Sequence, residues 1–194
     1  MSPRMSSKRL SLILPLVLVL AAIVLRYVKV DALANFSPFM ALAFAGTLVF
    51  SRKVPFWALP LVMIGVDMAA NGPGIVMHAE AVAVYACFAL AAWFGGRARG
   101  HISLLGGLVG VVACTLAFYA VTNTVSWLSD ANYAKTFAGW TQALTSGVPG
   151  FPPTVLFLYK SLLSDVAFAC ALFAAFNLEA SVRKEKLFPV FASA

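Results

Sequence analysis

Apolar residues in this chain neither alternate with polar ones nor keep to one helical face. They run in long blocks cut by short polar breaks. A block of about 20 apolar residues is what an α-helix needs to cross the ~30 Å hydrocarbon core of a bilayer. Six such blocks are read, at about 10–30, 37–51, 54–71, 77–95, 102–123 and 153–178. No internal repeat or low-complexity linker separates them, so residues 1–194 are expected to form a single transmembrane domain. The fold class that follows is all-α, an integral membrane six-helix bundle.

Two blocks are short. In Asn-Phe-Ser-Pro (35–38), Ser37 can cap a helix and Pro38 suits its first position, because it has no N–H to lose. From there to Ser51 is about fourteen residues, or roughly 21 Å. The next block opens near Pro55, ends at Asn-Gly-Pro-Gly (71–74) and carries Asp67 in its last turns. If both start at the surface marked by Arg52 and Lys53, their far ends stop inside the bilayer. Backbone is tolerated there only against protein or a watery cavity. Asn35, Ser37, Asp67 and Asn71 would then converge on an outward-facing hollow. Bilayer thinning or extra helical turns is the alternative.

The segment 124–152 is the least apolar stretch between blocks. Within it Tyr133, Phe137, Trp140 and Leu144 recur at the spacing of one helical face. The pattern predicts an interfacial helix in the outer loop between helices five and six, rings inward and Lys135, Thr141 and Gln142 toward water. Such a helix is either a lid over the hollow or an anchor in the aromatic belt.

Composition settles the class. The chain is 62% hydrophobic and 11% charged, with a mean hydropathy of +0.92, too apolar for a soluble interior of this size to hide. The net charge of +7 raises nucleic acid as a partner, but the bases fall in short clusters between apolar blocks, which is membrane topology. With the N-terminus inside, Arg4, Lys8, Arg9, Arg52, Lys53, Arg97, Arg99, Arg183, Lys184 and Lys186 face inward, against Arg26, Lys29, Lys135 and Lys160 outward. Ten of fourteen on one side predicts both termini in the cytoplasm and a multi-pass protein of the inner (plasma) membrane. Ala-Leu-Ala at 32–34 imitates a signal cleavage site, but the basic residues after Leu25 favour retention of the first span. Cys87, Cys114 and Cys170 lie inside apolar blocks without ligand spacing and read as core residues.

The chemistry worth noting is a pair of charges in the last block, Lys160 and Asp165. Lys160 is near enough to the outer end to snorkel. Asp165 is too short and too deep, so it must face the bundle and find a partner: Lys160, Ser161 or a group on another helix. It is the leading candidate for a site, with Asp67 second, and helix glue is the structural alternative. Asp67, His78, Glu80 and Asp165 have no metal-site spacing, and Glu80 at a helix start is explained by the helix dipole. No metal site is assigned, and no cofactor is identified.

The segments "NFSPFMALAFAG", "LVMIGVDMAANG", "NTVSWLSDANYAKTFAGWTQAL" and "VPGFPPTVLFLYKSLLSDVAFA" resemble an uncharacterised family of small bacterial membrane proteins over residues 35–176. That family is itself similar to the substrate-binding S components of energy-coupling-factor (ECF) transporters, six-helix bundles with an outward-facing pocket. The resemblance implies capture of a small molecule from outside, with Asn35, Asp67, Asn123, Trp127, Tyr133, Lys135, Trp140 and Asp165 lining or covering the pocket. Lys160 joins them through its place in the outer half of the last block. The Ser-Asp of the family motif is Val66-Asp67 here, and the Ala-x-x-x-Ala docking patch is missing from the first helix.

The function expected is therefore a substrate-binding or transport subunit, partnered by the lipid bilayer and by an energising module or other membrane subunits. No nucleotide-binding glycine loop occurs in the chain itself. The alternative is a structural or assembly subunit with no ligand of its own. An enzyme is not expected: no GxSxG or HExxH occurs, and His78 and His101 fall on opposite sides of the membrane.

Overall fold

In hydrocarbon a backbone has no hydrogen-bond partner but itself, so the Leu-, Ala-, Val- and Phe-rich blocks coil into helices. The computed structural model describes residues 38–50, 56–182, 184 and 187–190, with Val17, Leu20, Ala21 and Val24. Among the described residues all regular structure is helical. The helices are α1 (Phe39–Val49), α2 (Leu59–Asn71), α3 (Ala79–Ala98), α4 (Leu104–Ser129), α5 (Phe137–Leu144) and α6 (Thr154–Val182). Three of them, α3, α4 and α6, are long and apolar enough to cross a membrane. This is a membrane protein with transmembrane helices. The span expected over 10–30 lies almost wholly outside the described residues, as do Asn35 and Ser37.

The shortness expected of the second and third blocks is real. Helix α1 covers about 16 Å at 1.5 Å per residue, and α2 has 13 residues. Every residue from Pro38 to Phe50 is buried, as befits a helix apolar all round. Leu42–Gly46 within it winds as π-helix, a local widening that recurs at functional sites. Neighbours approach α1 closely through glycine: a Cβ on Gly95 of α3 would stand 2.3 Å from the Phe44 carbonyl oxygen. One on Gly110 of α4 would stand 2.4 Å from the Phe44 ring.

A helix that begins and ends inside a bundle leaves backbone groups to satisfy. At the C-terminal end, the Arg99 guanidinium donates to the Thr47 carbonyl oxygen, a cation where the helix dipole is negative. At the N-terminal end, Asp165 accepts from the Ala41 amide. Pro38 precedes the first helical residue rather than occupying it, and makes no side-chain cap. The cap comes from a residue 124 positions away.

The segment 124–152 differs from its expected form. Helix α4 runs on to Ser129, past the predicted end at 123. The short helix expected there starts only at Phe137, so Tyr133 precedes it and sits buried in a turn. Asp130 explains the break: its carboxylate accepts from both the backbone and side-chain N–H groups of Asn132, a local alternative to helix. Thr136 then caps α5 by accepting from the Gly139 amide at 3.2 Å. Phe137, expected to point inward, is 77% exposed.

Candidate functional site

Because α1 is short, its N-terminus stops part-way along α6. Asp165 is eleven residues on from Thr154, about 16 Å into a helix of 29 residues. A cavity of about 260 Å3 lies at the N-terminal end of α1. Met40 lines it from α1 and Phe88 from α3. Helix α4 contributes Thr115, Phe118, Tyr119, Thr122 and Asn123, and α6 contributes Thr154, Phe157, Ser161 and Asp165.

Asp165 is 2% exposed and joins three helices. Its Oδ1 accepts from the Ala41 amide at 2.9 Å and its Oδ2 faces the Thr115 hydroxyl at 2.8 Å. The same hydroxyl lies 3.0 Å from the Val111 carbonyl oxygen. A threonine hydroxyl has one hydrogen to give. It goes to Asp165, which is then a carboxylate, or to Val111, in which case Asp165 carries the proton and donates it to Thr115. Rotation of one hydroxyl thus accommodates both charge states without moving a helix.

Of the residues the sequence singled out, Asp165 and Asn123 line the cavity. Asn123 also donates to the Tyr119 carbonyl oxygen, one turn back. Asp67 is buried but is not among the lining residues. Its Oδ2 accepts from the Tyr85 hydroxyl at 3.0 Å, tying α2 to α3. The expected sharing of one pocket by Asp67 and Asp165 is therefore corrected: α2 presents its acid to α3. Asp165 takes its partners from α1 and α4, not from Lys160 or Ser161 on its own helix. Lys160 is half-buried on α6 and is not a lining residue.

The four loop candidates hold the loop in shape. Lys135 donates to the carbonyl oxygens of Trp127 and Asp130, a cation on the C-terminal end of α4. The Trp127 indole N–H donates to the Ala134 carbonyl at 2.8 Å, and that of Trp140 to the Thr124 hydroxyl at 2.9 Å. Tyr133 is buried; burial, and then the nearby Asp130, push its phenol up from the ordinary value, so it stays protonated at neutral pH. Tyr119 connects loop to cavity: it lines the cavity, and its hydroxyl donates to the Leu144 carbonyl oxygen at the end of α5. At the same end of the bundle, the Ser129 hydroxyl donates to Glu80.

Sequence reasoning missed the other polar lining residues, although the signal is present. Thr115, Tyr119, Thr122 and Asn123 recur at one turn on α4, and Ser161 and Asp165 do so on α6. Each is a polar stripe on an otherwise apolar helix.

A family model matches residues 6–187, nearly the whole chain. The chain belongs to DUF6580, a family of unknown function. Membership bears out the resemblance to an uncharacterised family, whereas the further likeness to ECF S components rests on the sequence motifs alone. No curated protein and no solved structure matches the chain.

Proposed function

We propose that this DUF6580 protein is a substrate-binding or transport subunit of the inner membrane that captures a small molecule in the cavity above α1. The observation that carries the reading is a hollow whose walls combine one carboxylate, several hydroxyls and an amide with aromatic rings. A few convergent polar groups in a mainly apolar pocket is what small-molecule sites look like. The short α1 supports it further, since ending a helix inside a membrane is a device of transporters, which build substrate sites from broken helices.

In this reading the chain forms a six-helix bundle similar to an ECF S component. Both termini are cytoplasmic, and the loop carrying α5 lies on the outer side, where Tyr119 fastens it beside the entrance. Energy for release comes from a partner module, and the protein binds its ligand without transforming it.

A second reading has an observation in its favour. Both Asp165 oxygens are engaged within the fold, which suits a structural or assembly subunit using the acid to join α1, α4 and α6. Mass spectrometry of small molecules released from the detergent-purified chain separates the two. A stoichiometric small molecule is expected under the first reading. Lipid and detergent alone, across several growth conditions, would favour the second.

A further inference from the structure

Among the described residues Asp165 is the one charged side chain that lines the cavity. Its hydrogen bonds come from neutral donors, the Ala41 amide and the Thr115 hydroxyl. A carboxylate surrounded by apolar helices is costly until a positive charge answers it. The lining is also rich in aromatic rings. Phe88 and Phe118 stand with ring centroids 5.4 Å apart and planes 32° from parallel, and Tyr119 and Phe157 join them. Ring faces carry negative potential and attract cations, most of all where water is excluded.

Those two features select among ligand classes. An anion meets like charge. A hard metal ion takes six or so oxygen ligands at short range; the lining offers hydroxyl and amide oxygens but one carboxylate, and phenyl rings that supply none. Among the described residues no three His, Cys, Asp or Glu side chains come together. An organic ammonium suits both features, its charge toward the carboxylate and its methyl or methylene groups against the rings. The hydroxyls of Thr154 and Ser161 remain for a polar substituent, whereas that of Thr122 is turned back to the Phe118 carbonyl oxygen. The volume, about 260 Å3, lies near the lower end of small-molecule pockets, which start at about 300 Å3.

Resting on the reading of this cavity as a capture site, we propose that its ligand is a small organic ammonium cation, held between the Asp165 carboxylate and the Phe88 and Phe118 rings.

The test uses the full-length chain in detergent and follows thermal unfolding against added choline chloride and 3,3-dimethyl-1-butanol, its uncharged isostere. Sodium chloride controls for ionic strength. Choline should raise Tm saturably, and the neutral isostere should bind at least roughly tenfold more weakly, since a desolvated cation–π contact alone is worth more than that factor. Asp165→Asn should weaken choline at least roughly tenfold and leave the isostere unchanged. Phe118→Leu, which keeps an apolar side chain but removes a ring face, should do the same more mildly, and serves if the Asp165 variant does not fold. Equal binding of the two compounds, or no saturable effect of choline, overturns the proposal. If a neutral or anionic molecule nonetheless co-purifies, capture stands and only the cation assignment falls. If nothing co-purifies either, capture falls with it.

Discussion

A carboxylate in the middle of a membrane helix has three ways out: it can reach water, lose its charge, or be answered by other groups. Asp165 is met by the amide of Ala41 and the hydroxyl of Thr115, neutral groups that accommodate either charge state. That it must turn inward was legible from its depth and short side chain. Its partners were not, because a backbone amide has no signature in sequence and Thr115 is one small polar residue in a long apolar helix. The pairing predicts an asymmetric response to substitution. Thr115→Val keeps the shape but leaves Asp165 short of a donor and should cost about 1–3 kcal/mol, seen as a lower Tm, while Thr115→Ser should stay close to the parent. Equal loss in both variants would mean that packing, not the hydroxyl, is what matters at 115.

Among the elements, α1 decides the architecture. Its shortness could be read from Pro38 and from the basic pair at Arg52 and Lys53, and so could a hollow at its end. The partner acids could not be sorted that way: periodicity places Asp67 on α2 but does not say that α2 turns it to Tyr85. The aromatic spacing from Tyr133 to Leu144 misled in part, since the local turn at Asp130 and Asn132 takes priority over a helical pattern. Close packing around α1 gives a second prediction. Gly95→Ala puts a methyl group against backbone that cannot move aside, and should cost at least about 1–3 kcal/mol by thermal unfolding. Gly65→Ala, with open space around it, should cost nothing or stabilise slightly. Lys135→Met should leave the helices folded but speed amide exchange over 130–136, because the end of α4 loses its cation.

At the scale of the whole molecule, the membrane class followed from composition, and the three long helices bear it out. Orientation rests on the ten-to-four distribution of basic residues. A single cysteine at position 129, in a background with the three native ones removed, should react with an impermeant thiol reagent in intact cells; one at 181 should react only after the cells are opened. The reverse pattern would turn the protein over and put the cavity mouth in the cytoplasm.

The central claim, that the hollow above α1 is a ligand site built around Asp165, is tested most directly by native mass spectrometry of the parent chain beside Asp165→Asn, each purified in the same detergent. The amide keeps a hydrogen-bonding group beside Ala41 and Thr115, so circular dichroism should report the same helix content for both. The parent should carry a small molecule of constant mass at near one per chain, and the variant should have lost it. A parent chain carrying only lipid, or a variant that retains the same molecule at the same occupancy, would contradict the claim.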